Sequence, residues 1–132
     1  SAETKLTGPL GMKTLSSNDP AYRPNYDNSL ECSDPTISRG ANYHQGPEWL
    51  WCMGFYLRSW LTFNISTAET RTTRKLVLTR LQPHRHLLRN SPAGGLPELT
   101  NENGKECKDS CWTQAWSMAC LLEVILQVNH EI

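Results

Sequence analysis

The chain holds no run of the roughly 18 to 20 apolar residues that a membrane span needs. Its first residues, Ser1-Ala2-Glu3-Thr4-Lys5-Leu6-Thr7, carry no apolar signal region. These absences argue against a membrane partner and set the expectation of a cytoplasmic protein. Net charge is missing too: 13 basic and 13 acidic side chains cancel, so no whole-chain field gathers nucleic acid or an anionic surface. The cysteines, Cys32, Cys52, Cys107, Cys111 and Cys120, are odd in number and do not pair off as a disulfide framework, which points to a reducing compartment. The Asn64-Ile65-Ser66 sequon is then incidental. No internal repeat, low-complexity tract or nucleophilic serine or cysteine constellation stands out, and Gly8-Pro9-Leu10-Gly11 is not a phosphate loop. His84, His86, Cys107 and Cys111 are spaced too loosely for zinc, so neither a metal nor a cofactor is expected.

What is present is a turn-rich first third and three apolar segments of helical character. Residues 1–46 carry Asn18-Asp19-Pro20, Arg23-Pro24-Asn25 and Asp34-Pro35, and read as a long ordered loop. Such a loop is usually functional or supported by a larger body. A first helix is expected from Gly46-Pro47 through Leu61, with Leu50, Met53, Leu57, Trp60 and Leu61 on one stripe and Trp49, Cys52 and Tyr56 on another. A second opens at the capping pair Ser66 and Glu69, and Pro83 should kink or end it. A third runs from a cap at Ser110 to about Val128. The basic residues Arg71, Arg74, Lys75, Arg80, Arg85 and Arg89 lie along the second helix without interleaved aromatics, the pattern of a solvated face and not of a nucleic-acid site. Helices apolar nearly all round make a poor solitary bundle, so the chain reads as part of something larger.

Chemistry concentrates in Asn42-Tyr43-His44-Gln45-Gly46-Pro47-Glu48-Trp49-Leu50-Trp51. Aromatic faces cover the apolar C–H side of a pyranose, while amides, carboxylates and imidazoles read its hydroxyls, so this mixture suits carbohydrate better than phosphate or lipid. Tyr43, His44, Gln45, Glu48 and Trp49 are the expected substrate-binding residues, although a first-turn Glu48 is equally a partner for the helix dipole. Trp49 and Trp51 point to different helix faces; Trp49 is assigned to sugar and Trp51 to the core. About fifty residues on, Gly95-Leu96-Pro97-Glu98-Leu99-Thr100-Asn101-Glu102-Asn103-Gly104 supplies two more carboxylates, Glu98 and Glu102, and spacing alone does not separate them as catalytic candidates.

These two segments, together with Gly8 to Leu15 and Thr113-Gln114-Ala115-Trp116-Ser117, resemble the C-terminal end of eukaryotic glycogen debranching enzymes in order and separation. Ala41 and Cys52 depart from that pattern, where the family tends to carry an aromatic and a proline. The resemblance implies an all-α fold, the C-terminal part of an (alpha/alpha)6 barrel glucosidase domain with helices linked by long active-site loops. Residues 1–132 would be the C-terminal portion of the amylo-alpha-1,6-glucosidase domain, with the 4-alpha-glucanotransferase region and most of the barrel absent. It further implies that Glu98, in the Pro-Glu-Leu-Thr-Asn motif, is the general base of an inverting glycosidase, with Glu102 as second choice. The general acid would be an aspartate far upstream, outside this chain, so the isolated chain is expected to be inactive. The implied partners are glycogen or a limit-dextrin oligosaccharide and the remainder of the barrel. Tyr26-Asp27-Asn28 resembles a family loop but serves equally as a turn, and Gln114 and Trp116 read as helix cap and core. A noncatalytic carbohydrate-binding or regulatory fragment that docks to glycogen or a partner is the competing expectation.

Overall fold

A computed structural model describes residues 5–30, 32–63 and 67–130. Three helices carry the fold: α1 (Leu50–Phe63), α2 (Thr67–Asn90) and α3 (Ala115–His130). A three-stranded antiparallel sheet of two-residue strands ties the loops together: β1 (Met12–Lys13), β2 (Glu48–Trp49) and β3 (Leu99–Thr100), in the order β1-β2-β3. Met12 pairs with Trp49, Trp49 with Leu99, and Glu48 with Lys13 and Thr100. Short 3-10 turns occupy Pro35–Gly40 and Glu102–Gly104.

The helical expectation holds, and the small sheet is an addition to it. Two-residue strands are too short to show alternation in a sequence. They also move the start of the first helix. Glu48 and Trp49 pair with both neighbouring strands, so α1 begins at Leu50, three residues beyond Pro47. The third helix likewise begins at Ala115 and not at Ser110, because the Ser110 hydroxyl donates to the Leu99 carbonyl (3.1 Å) across the loop. Pro83 does not end α2, which continues to Asn90. Pro83 lies on the exposed side, while Leu81 and His84 stay buried beside it. The cap expected at Ser66 and the sequon at Asn64 lie outside the described residues.

The helices pack as a parallel pair with an antiparallel third. Contacts between α1 and α3 advance together along both chains: Trp51 stacks on Trp116, Gly54 meets the backbone of Cys120, and Arg58 reaches Glu123 and Gln127. α2 returns the other way, since Arg74 near its start donates to the Val128 carbonyl at the end of α3 (2.6 Å). His84, toward its other end, lies against the Leu10 carbonyl (2.5 Å). The core is one cluster of Leu50, Met53, Leu57, Leu61, Val77, Leu81, Leu121, Val124 and Val128, closed at the loop end by Leu10 and Leu96. Opposite its buried stripe, α2 exposes Arg71, Lys75, Arg85 and Arg89. A second exposed face is apolar, with Phe55, Trp116, Leu122, Ile125 and Leu126 all more than 40% accessible. No helix among the described residues is long and apolar enough to cross a membrane.

Candidate active site

Because α1 and α3 run parallel, both begin at one end of the molecule, and Glu98 lies between their starts. The Leu50 amide donates to the Glu98 carbonyl (3.2 Å), and the Glu98 amide donates to the Cys111 carbonyl (2.8 Å). Gln114, the residue before α3, donates through Nε2 to Glu98 Oε1 (2.9 Å), and its own Oε1 accepts from the buried Ser117 hydroxyl (3.2 Å). The Gln114 amide is thereby fixed in orientation. Oε2 of the half-buried Glu98 accepts no hydrogen bond among the described residues. Two helix starts, each with the partial positive charge of a helix N-terminus, flank the Glu98 segment.

Glu102 is placed differently. Its Oε1 accepts the Tyr22 hydroxyl (3.1 Å) and lies 3.8 Å from Lys13 Nζ, while its amide donates to the Pro24 carbonyl (3.2 Å). Burial, and then the Glu102 carboxylate, raise the Tyr22 phenol well above its usual range. Glu102 therefore joins the first third of the chain to the 99–111 loop.

Glu48 has no exposed surface. Its Oε1 accepts the Asn103 amide (3.0 Å), and Oε2 accepts the Gly104 amide (3.2 Å) and the Thr100 hydroxyl (3.4 Å). Gly8 faces the carboxylate so closely that a Cβ there would overlap it. Burial raises the Glu48 carboxyl above its usual value, against the opposing pull of those amide donors and of Lys13. Glu48 is thus neither in a helical first turn nor open to a ligand. It fixes the loop that follows Glu98.

The aromatics expected at the site assemble into one cluster, exposed at Tyr43 and His44 and half-buried at Trp49. Tyr43 meets His44 edge-on (centroids 4.5 Å) and Tyr26 likewise (5.5 Å), and His44 stacks on Trp49 (5.0 Å, 15°). Trp49 Nε1–H donates to the Tyr43 carbonyl (2.9 Å), which fixes the indole. β2 pairs Trp49 with Leu99, so the cluster is one strand away from Glu98. Burial raises the Tyr26 phenol above its usual range, with smaller contributions from Asp109, Cys107, Tyr43 and Glu98. Tyr26 thus sits within the electrostatic reach of Glu98.

Gln45 is engaged elsewhere: Oε1 accepts the Ser38 hydroxyl (3.0 Å) and Nε2 donates to the Thr36 carbonyl (3.1 Å). The buried Asn42 amide donates to the carbonyls of Asn25 (2.7 Å) and Arg23 (3.3 Å), drawing residues 22–28 onto the site. Sequence reasoning missed two contributors, Gln114 and Tyr26. The signal for both was their place in family-like segments, Thr113–Ser117 and Tyr26–Asn28. Trp116, expected in the core, is 49% exposed and stacks on Trp51 (4.1 Å, 9°). Among the described residues no group of three or more His, Cys, Asp or Glu is placed to hold a metal ion.

A family model described as amylo-alpha-1,6-glucosidase matches residues 1–123. Among curated proteins, the chain is similar to a glycogen debranching enzyme of Saccharomyces cerevisiae, 43% identical over 133 aligned positions. That alignment covers 93% of this chain and 9% of the yeast protein, so the chain spans a small part of that relative's length.

Proposed function

The chain belongs to the amylo-alpha-1,6-glucosidase family, and from that premise we propose that it supplies the general base of a glycogen-debranching site. The reaction is hydrolysis of the single alpha-1,6-linked glucose at a trimmed branch, with inversion at the anomeric carbon. Glu98 Oε2 takes a proton from water as the water oxygen bonds to that carbon. The bond to the branch oxygen breaks, and the branch oxygen receives a proton from a carboxylic acid contributed by sequence beyond this chain. Gln114 is a positioning residue: holding Oε1 leaves Oε2 as the oxygen presented to water. The partly exposed Tyr43–His44–Trp49 cluster, with Tyr26, offers ring faces and an imidazole to the sugar. Gln45 and Glu48 act one layer back, by fixing the loops. The setting is cytoplasmic, the substrate is glycogen or limit dextrin, and the working enzyme includes the rest of the barrel.

The observation that carries this reading is the geometry of Glu98: between two helix starts, one oxygen held by a fixed amide and the other unpaired. Glu102 also has only Oε1 engaged, but its partners are Tyr22 and Lys13 of the first third of the chain and no group at a helix start. The test is Glu98→Gln in the enzyme that contains this chain. Glucose release from a phosphorylase limit dextrin should fall by about 10²- to 10⁴-fold, the usual contribution of a general base. Azide, which needs no deprotonation, should restore turnover and give a glucosyl azide of inverted configuration. Near-normal activity in Glu98→Gln, or equal loss and equal rescue in Glu102→Gln, would overturn the assignment.

A further inference from the structure

Beside the Glu98 segment a cleft of about 360 Å³ opens between the last turns of α2 and the 97–112 loop. Its apolar surface includes Pro92, Pro97 and the Trp112 indole, and its polar groups include His86, Asn90 and Glu106. Trp112 is 53% exposed, yet its ring is fixed, because Nε1–H donates to the Lys108 carbonyl (3.2 Å). Asn90 Nδ2 is held by the His86 carbonyl (2.8 Å) and lies 3.3 Å from His86 Nδ1. That leaves Asn90 Oδ1, His86 Nε2 and the exposed Glu106 carboxylate without hydrogen-bond partners among the described residues.

The cleft and Glu98 also share an end of the molecule. α2 finishes where α1 and α3 begin, and Pro97 and Trp112 are the chain neighbours of the hydrogen-bonded pair Glu98 and Cys111. We propose that this cleft is a second carbohydrate subsite, which holds part of an alpha-glucan chain apart from the glucose position at Glu98. The proposal rests on the carbohydrate reading of the chain and adds to it a distinct binding position.

The lining chooses among ligand classes. A fixed indole flanked by prolines covers the C–H face of a pyranose, while an amide oxygen, an imidazole and a carboxylate read hydroxyls. An acyl chain would bury Glu106 and His86 without partners, which is costly. An anionic ligand would meet the Glu106 charge. Because the Trp112 ring is already held, little side-chain freedom is lost on binding.

The test is a titration of the 15N-labelled chain with maltoheptaose, reading the indole N–H resonances of Trp49 and Trp112. The Trp112 resonance should shift saturably. Trp112→Ala should weaken maltoheptaose binding about tenfold, the size expected for loss of one stacking aromatic. Trp112→Phe, which keeps an aromatic face and controls for folding, should bind within about threefold of the parent. A shift at Trp49 with none at Trp112, or tenfold weakening in neither Trp112→Ala nor Glu106→Gln, would remove the second subsite and leave the Glu98 proposal standing. No shift at any indole would remove the second subsite and the sugar contact at Trp49, while the Glu98 assignment stands or falls on the Glu98→Gln test.

Discussion

Glu48 carries a carboxyl group where no water reaches, and its protonation is therefore coupled to folding. Burial raises its folded-state value above the ordinary 4.5, so the folded chain binds a proton more readily than the unfolded one. The stability linked to that proton is fully present below pH 4.5 and is lost as pH rises through the raised value. Glu48→Gln removes the titration and keeps one acceptor for the Asn103 and Gly104 amides. Between pH 4.5 and 7.5 the parent should therefore lose more stability than Glu48→Gln; parallel urea denaturation curves that stay a constant distance apart would sink this account. At Glu98 the partner matters as much as the carboxylate. Gln114→Ala releases Oε1 and should lower kcat for branch hydrolysis by roughly tenfold or more with KM little changed, since positioning is lost and substrate contact is not. A rise in KM alone would assign Gln114 to substrate binding. At this scale the sequence showed which residues mattered better than it showed what they did. Glu48 sits in the most distinctive segment, but its role depends on Gly8, forty residues upstream, and on the amides of residues 103 and 104, a juxtaposition that no local pattern encodes.

At the scale of elements, the decisive contact is the close approach of α1 and α3. Gly54 sits where an added Cβ would lie 2.7 Å from the backbone of Cys120, so the two helices meet almost backbone to backbone. The Cys52 thiol, pushed up to about 11 by burial, stays a neutral apolar filler on the same helix. Gly54→Ala should cost about 1–3 kcal/mol by overpacking, even though alanine is the better helix former. The measurement is the urea midpoint, and an unchanged or raised midpoint would show that the helices can part without cost. The three helices were legible from apolar spacing alone, and all three exist. Their starts were less so, because Glu48 and Trp49 were taken by strand pairing and Ser110 by the Leu99 carbonyl. Pro83 does not end α2: on an exposed helix face it removes one helical hydrogen bond and blocks no packing. The parallel sense of α1 and α3 depends on long-range contacts, which no local pattern in the sequence encodes.

For the molecule as a whole, what remains uncovered is informative. Phe55, Trp116, Leu122, Ile125 and Leu126 present a broad apolar face on α1 and α3, and Trp51 Nε1–H is buried without an acceptor among the described residues. Exposed apolar side chains in this number on two neighbouring helices, interrupted by the exposed Arg58–Glu123 pair, suit burial against other structure. The other open surface has the opposite character. Six of the chain's 13 cations and one of its 13 acids fall on α2, so that helix is strongly positive and the remainder equally negative. A polypeptide with zero formal charge is thus an electric dipole, able to turn one face toward either kind of charged matrix. At pH 7 and about 10 mM salt, where screening extends to roughly 30 Å, it should be retained on a sulfonate resin as well as on a quaternary-amine one. It should leave both by about 0.15 M, where that length falls to roughly 8 Å. Arg71→Glu combined with Arg85→Glu should abolish the first retention and strengthen the second, and passage of the parent straight through the sulfonate column would show that its charges are evenly mixed after all.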